Sequence, residues 1–193
     1  MELSVCSNVL WSSEDDDLEI LSTYVDPTEA PVDYHKNALS YWDNKRQGRF
    51  APRWDELSLM DFGLGVVPLI SVTDLTVEPL TSRYRFWGTK LTEIFGGDYT
   101  GCSPTDLPPK KLGMSTNGGC GRLVRDRVPS YEVKEFQNQK ELYGRALILR
   151  MPLSDDGKTV TNGINIYYVE SIRPQQPLSK FFEKILSTVP ARN

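Results

Sequence analysis

The stretch from Arg83 to Gly101 constrains the fold most, because it encodes a strand, a turn and a helix in quick succession. Residues 83–87 alternate in the period of a β-strand, with Tyr84 and Phe86 on one face, so that face suits a core. Residues 88–97 then encode a short helix that begins after a glycine and ends at a glycine pair. The rest of the chain is expected to pack around this unit.

Hydrophobic periodicity and turn residues predict five strands and several helices. The strands are expected at about 68–77, 82–88, 130–138, 144–153 and 161–170. The helices are expected from Asp33 to near Gly48, at 89–95, at 104–114, in a short segment before Pro129, and in a final segment after Pro177. The Gly-rich residues 117–122 are expected to form a flexible loop between two of them. This pattern predicts an α+β domain, with five antiparallel strands and helices on one face of the sheet.

Several short motifs, in a fixed order, resemble a small PAS-like family of single-domain proteins found mainly in alphaproteobacteria. The motifs are Tyr41-Trp-Asp43, Pro68 to Asp74, Arg83-Tyr-Arg-Phe-Trp-Gly-Thr89, Phe95-Gly-Gly-Asp-Tyr-Thr-Gly101, Thr105-Asp-Leu107 and Met151-Pro-Leu-Ser-Asp-Asp-Gly157. The resemblance covers roughly residues 34–170. Trp87 stands where this family usually has an aliphatic residue. The resemblance implies a PAS-like sheet with a sensory or regulatory role, extended by terminal helices.

Charge divides the chain into an acidic start and a basic remainder. Residues 1–34 hold nine acidic residues and no Lys or Arg, whereas the remainder holds 22 basic and 17 acidic residues, a formal charge of +5. This charge pattern predicts an acidic N-terminal arm (1–32). The resemblance implies a PAS-like domain (33–172), and an apolar stripe predicts a C-terminal amphipathic helix (173–193). The arm either aids solubility as a solvated tail or binds a basic surface.

Composition excludes several classes of protein. The hydrophobic content of 39% is typical of a globular protein, and no apolar run is long enough to cross a membrane. Without a secretory signal, a cytoplasmic location is expected. Cys6, Cys102 and Cys120 suit reduced thiols at their wide spacing. The sequence pI of about 5.1 argues against nucleic-acid binding.

No catalytic set is visible, so an enzyme is not expected. Asp155 and Asp156 lie in a turn motif, and His35, the single histidine, is expected outside the domain core. The resemblance raises haem and flavin as ligands, but the core helices offer no axial histidine and the cysteine motif of flavin photoreceptors is absent. We therefore predict neither a metal nor a cofactor.

Two sets of side chains are candidates for binding. Strand alternation directs one set inward, where the side chains either fill the core or line an apolar ligand cavity: Tyr84, Phe86, Tyr131, Leu149, Ile166 and Tyr168. A second set forms an apolar stripe that needs a partner surface: Leu178, Phe181, Phe182, Ile185 and Leu186. Trp42 is expected to anchor the first helix on the domain, and a binding role at the interface is its alternative.

Three functional hypotheses follow. The leading one is a non-catalytic PAS-like sensory module of bacterial signalling, which binds a small molecule or a signalling protein and forms a homodimer through its terminal helices. The second is an interaction adaptor or dimerisation module whose core is filled by its own side chains. The third is an uncharacterised enzyme, which would need a cleft joining His35 or Cys102 to acidic residues with shifted pKa values.

Overall fold

The computed structural model describes residues 18–138 and 141–171. The interface stripe at residues 178–186 and residues 1–17 of the acidic arm lie outside these ranges. The interface assignment of the stripe stays a prediction.

The described residues form three α-helices and one six-stranded sheet. The helices are α1 (Asp33–Arg46), α2 (Thr89–Phe95) and α3 (Lys110–Asp126). The strands are β1 (Leu18–Val25), β2 (Ile70–Val77), β3 (Leu80–Trp87), β4 (Ser130–Asn138), β5 (Glu141–Leu153) and β6 (Asn162–Ser171). The predicted α+β class is confirmed, and each of the five predicted strand segments overlaps a strand of the sheet.

The sheet runs in the order β1-β4-β5-β6-β2-β3, and every neighbouring pair is antiparallel. Strands β2 and β3 form a hairpin, and β2 also pairs with β6. At the centre of the sheet, neighbouring strands therefore come from segments that are far apart in sequence. The longest strand, β5, lies between β4 and β6.

The prediction of five strands was one too few, because β1 adds a sixth beside β4. Its register runs from Leu18 opposite Asn138 to Val25 opposite Tyr131. Leu18 is buried, and the Nζ of Lys111 on α3 donates to its carbonyl oxygen over 3.0 Å. Residues 18–25 were assigned to the acidic arm, but they alternate and pair as an edge strand.

The prediction that helices cover one face of the sheet is also wrong, since both faces are covered. On β5, Leu149 and Met151 pack in a cluster that includes Ala38 and Trp42 of α1. Ile148, one position away, packs in a second cluster that contains residues of α2 and α3. Because neighbouring side chains of a strand point to opposite faces, α1 covers one face and α2 with α3 covers the other. We call these the α1 face and the α3 face.

A β-bulge in the hairpin changes which residues share a face. Phe86 is paired with Val72, but the next pair is Tyr84 with Thr73, so Arg85 is the extra residue. Tyr84 therefore packs in the cluster of the α3 face and Phe86 against that of the α1 face. The prediction that both lie on one face is wrong, because simple alternation does not hold across a bulge.

The glycines of residues 117–122 lie inside α3, so the expected flexible loop is absent there. A β-carbon at Gly119 would lie 2.7 Å from the Nε of Arg150, and one at Gly113 would lie 2.7 Å from the carbonyl oxygen of Thr105. Glycine thus lets α3 approach the sheet and the preceding loop closely. Tertiary packing compensates for the low helix propensity of these residues.

Candidate functional site

Four of the six predicted ligand-binding residues share the α1 face. Tyr131, Leu149 and Ile166 are buried in its cluster, and Phe86 packs against them. Tyr84 lies on the opposite face because of the bulge, and Tyr168 is 39% exposed. The six residues therefore do not line one cavity, although a ligand-binding role for any of them stays a prediction.

His35 is buried on the α1 face, so its expected position outside the core is wrong. Its Nδ1 lies 3.0 Å from the hydroxyl oxygen of Tyr131, and its ring contacts the rings of Tyr34 and Tyr131 edge to face. Burial lowers the pKa of His35 to about 4, which keeps the imidazole neutral at pH 7. His35 is a core residue that contacts aromatic rings.

Trp42 anchors α1, as predicted from its place in the apolar stripe of the helix. Its indole Nε1 donates to the carbonyl oxygen of Pro152 over 2.8 Å, and the side chain is 3% exposed. A residue buried in its own chain in this way offers no surface to a partner, so the alternative interface assignment of Trp42 is not supported.

A network of buried polar side chains lies between the α3 face and α3. Arg150 donates from Nη2 to the Glu132 carboxylate over 2.8 Å and from Nη1 to the Oδ1 of Asn165 over 2.9 Å. Lys134 donates from Nζ to the Ser115 Oγ over 2.8 Å and lies 3.4 Å from the other carboxylate oxygen of Glu132. Strands β4, β5 and β6 thus contribute charged and amide side chains to one network, which reaches α3 through Ser115.

This network holds two cations and one carboxylate, all of them at most 1% exposed. Burial alone would raise the pKa of Glu132, but Arg150 and Lys134 outweigh it and hold that pKa at about 2. Burial lowers the pKa of Lys134 to about 8, although Glu132 opposes the change. Burial also disfavours the charge of Arg150, yet Glu132 raises its pKa. At pH 7 the network carries a formal charge of +1.

A small cavity of about 10 Å³ adjoins this network, which is room for about one water molecule. Lys134 and Thr116 are its polar lining residues. The other walls are aromatic or aliphatic: Trp87, Phe95, Phe136, Tyr167, Leu107, Leu112, Ala146 and Ile148. The cavity therefore combines apolar walls with a buried cation.

Trp87 contributes a free hydrogen-bond donor to this region. It is 4% exposed, its ring contacts those of Tyr84, Phe95 and Tyr99, and its indole Nε1 has no hydrogen-bond partner. The hydroxyl groups of Tyr84 and Tyr99 are also buried without a partner. Buried polar groups are normally paired, so these three groups of the α3-face cluster are exceptions.

The other groups with possible chemistry are structural. Asp156 accepts hydrogen bonds from the backbone N–H groups of Lys158 and Thr159, and Asp155 accepts one from that of Trp54, as expected of turn residues. Within residues 18–138 and 141–171, no cluster of three or more His, Cys, Asp or Glu could hold a metal. None of the helices there has the length and apolarity to span a bilayer.

The cysteines differ from the predicted set of reduced thiols. Cys120 is free and buried on α3, and burial raises the pKa of its thiol. Cys102 is buried and disulfide-bonded, so the expectation of a reduced thiol is wrong there. Cys120 therefore lacks the exposed, low-pKa character of a reactive thiol.

Sequence reasoning missed the residues that matter most on the α3 face. Glu132 and Lys134 alternate with Tyr131 and Val133, a pattern normally typical of a solvated strand face. The available signal was the run of glycines in α3, which implies a close approach to something bulky. Arg150 is the group that Gly119 approaches.

Comparisons with known proteins add no relative to this picture. No protein-family model, no curated protein and no solved structure matches the chain. The geometry of the α3 face therefore carries the functional argument.

Proposed function

We propose that the protein is a non-catalytic, PAS-like sensory or regulatory module that binds a small molecule in the cavity of the α3 face. The observation that carries this proposal is the cavity itself, which the buried Lys134 and Trp87 line among apolar side chains, Trp87 having an indole N–H without a partner. Five of the six strands, in the order β3-β2-β6-β5-β4, are compatible with the five-stranded PAS arrangement that the sequence motifs imply.

A binding role accounts for two buried polar groups, Lys134 and the indole N–H of Trp87, whose burial is unfavourable for the stability of the fold. A buried lysine loses hydration, and an unpaired buried donor loses hydrogen bonds to water, so each lowers the stability of the unliganded fold. The lysine and the tryptophan both line the same cavity. A bound ligand could accept a hydrogen bond from the indole N–H and a further one from the ammonium group.

An interaction adaptor with a filled core is the second candidate, and the size of the cavity favours it. A space of about 10 Å³ admits no organic ligand unless side chains or α2 move. In this alternative the cavity holds a single water molecule, and the protein acts only through its surface. Association into a homodimer through the 178–186 stripe fits both candidates.

We also propose a cytoplasmic location. The disulfide at Cys102 counts against a reducing compartment, because such bonds are rare in the cytosol. Counting free thiols in protein that is alkylated during cell lysis tests this point. A reduced Cys102 agrees with the cytosol, whereas an oxidised Cys102 indicates another compartment.

Native mass spectrometry of the full chain, purified after growth under several conditions, tests the ligand-binding function. We expect a bound small molecule in the wild type and its loss in Ala146→Leu, which fills the cavity. Val133→Leu enlarges a half-buried side chain on the α1 face and is the matched control, so it should keep the ligand. Wild-type protein that carries no small molecule under any condition but retains a protein partner would favour the adaptor.

A further inference from the structure

We infer that the cavity of the α3 face binds a small monovalent anion, held by Lys134 with the indole N–H of Trp87 and the hydroxyl group of Thr116. The inference rests on the proposed ligand-binding function and names the ligand class. The shared chemistry is one negative charge on a compact group, either a halide ion or the carboxylate of a small organic acid.

The first argument is the balance of buried charge. Among the described residues, the buried charged side chains are Glu132, Lys134 and Arg150. Glu132 pairs with Arg150 at hydrogen-bond distance, whereas its contact with Lys134 is longer, at 3.4 Å. Lys134 thus carries the positive charge that lacks a full counterion, and an isolated buried charge is costly. A monovalent anion would bring the formal charge of the network to zero.

The second argument is the set of donors around the cavity. An ammonium group has three protons, and Ser115 accepts one from Lys134. The indole N–H of Trp87 can only donate, and it has no acceptor within the protein. A ligand that accepts several hydrogen bonds and donates none matches these groups, and anions have this property. A neutral alcohol or amine would leave the positive charge uncompensated.

The third argument is size. A cavity with room for about one water molecule is close to the size of a chloride ion, which is somewhat larger than water and needs only a small outward shift of the walls. Formate or acetate is larger still and enters only if side chains or α2 move, with its apolar part then against Phe136 and Ile148 in the cavity wall. Divalent or bulky anions exceed both the charge and the space that the site offers.

Equilibrium unfolding in different sodium salts at constant ionic strength tests this inference. We expect chloride, bromide, formate or acetate to stabilise the full chain in a saturable way relative to gluconate, which is too large to enter. Lys134→Met should weaken the apparent affinity about tenfold or more, because it removes a charge-assisted hydrogen bond. Since Glu132 keeps Arg150 as its partner, this variant should still fold.

Two further variants test whether the stabilisation by anions depends on the residues of the cavity. Thr116→Val removes the hydroxyl group at nearly constant volume and should weaken the anion effect without abolishing folding. Lys110→Met removes an exposed lysine at the start of α3 and should leave the effect unchanged. Stabilisation by halides alone would identify an inorganic ion, and stronger stabilisation by formate or acetate would identify an organic acid.

Equal stabilisation by all salts, or a chloride effect that survives Lys134→Met, would overturn the inference. That outcome is distinguishable from failure of the proposed function. A neutral small molecule found in the wild type and lost in Ala146→Leu would keep the cavity as a ligand site while rejecting the anion.

Discussion

Gly119 of α3 faces the guanidinium group of Arg150 so closely that a β-carbon at this glycine would lie 2.7 Å from Nε and 2.9 Å from Cζ. The guanidinium group cannot move away easily, because its hydrogen bonds to Glu132 and Asn165 hold it beneath the helix. The glycine run of α3 is therefore a packing surface for a buried charge. The position of α3 also defines one side of the cavity, through Leu112 and Thr116.

Replacing Gly119 with Ala should destabilise the protein by about 1–3 kcal/mol, because the new methyl group overlaps Arg150. Gly118→Ala is the matched control, since a β-carbon there meets no atom within 4 Å. This neighbouring change should stabilise the helix by up to about 1 kcal/mol. Urea unfolding of both variants measures the difference, and equal effects would show that α3 does not contact Arg150 in this way.

Removing the charge of Glu132 should be far more damaging than removing that of Glu135 on the same strand. Glu132→Gln leaves two buried cations without a counterion and should cost about 3–5 kcal/mol. Glu135 pairs with a partly exposed Arg145, so Glu135→Gln should cost less than about 1 kcal/mol. Free energies of unfolding at pH 7 compare the two, and similar small losses would mean that the network is solvated.

Stability should fall as the pH decreases from about 6.5 to 4, because of His35. Burial lowers the pKa of His35 to about 4, so in this range the unfolded chain binds a proton that the folded chain does not. A difference of this size corresponds to about 3 kcal/mol once the pH has fallen below both pKa values. Urea unfolding at several pH values checks the prediction.

His35 is the only histidine, so His35→Gln isolates its contribution. The variant should be less stable at pH 7, since Tyr131 loses its ring contact, but its stability should vary less between pH 6.5 and 4. Glu132 acts in a different window, because its pKa of about 2 makes its contribution fall only below about pH 4.5. An unchanged slope in His35→Gln would show that His35 is not buried.

The sequence predicted the strands well because each has strong alternation or a β-branched run and is bounded by turn residues. The β4 strand, expected at 130–138, has those bounds in the structure. The errors arose where tertiary contacts override local pattern. The bulge at Arg85 cannot be detected from the alternation of polar and apolar residues. Helix α3 forms despite its glycines, because Gly113 and Gly119 lie where a larger side chain would overlap neighbouring atoms.

The candidate site was harder to predict than the fold, for a physical reason. Its central residues, Glu132, Lys134 and Arg150, are of types that are normally solvated, and nothing local shows that a helix will cover them. In the sequence Trp87 is only a departure from the motif, yet the residue lines the cavity and its indole N–H is buried without a partner. The predicted apolar set lies mainly in the tightly packed α1 face instead.

A crystal structure of the protein with bromide, located by anomalous scattering, tests the central claim most directly. The account predicts a bromide ion within the α3-face cavity, in contact with the Nζ of Lys134 and the indole N–H of Trp87. A closed cavity that excludes the ion, with bromide found only on the exposed surface, would contradict it.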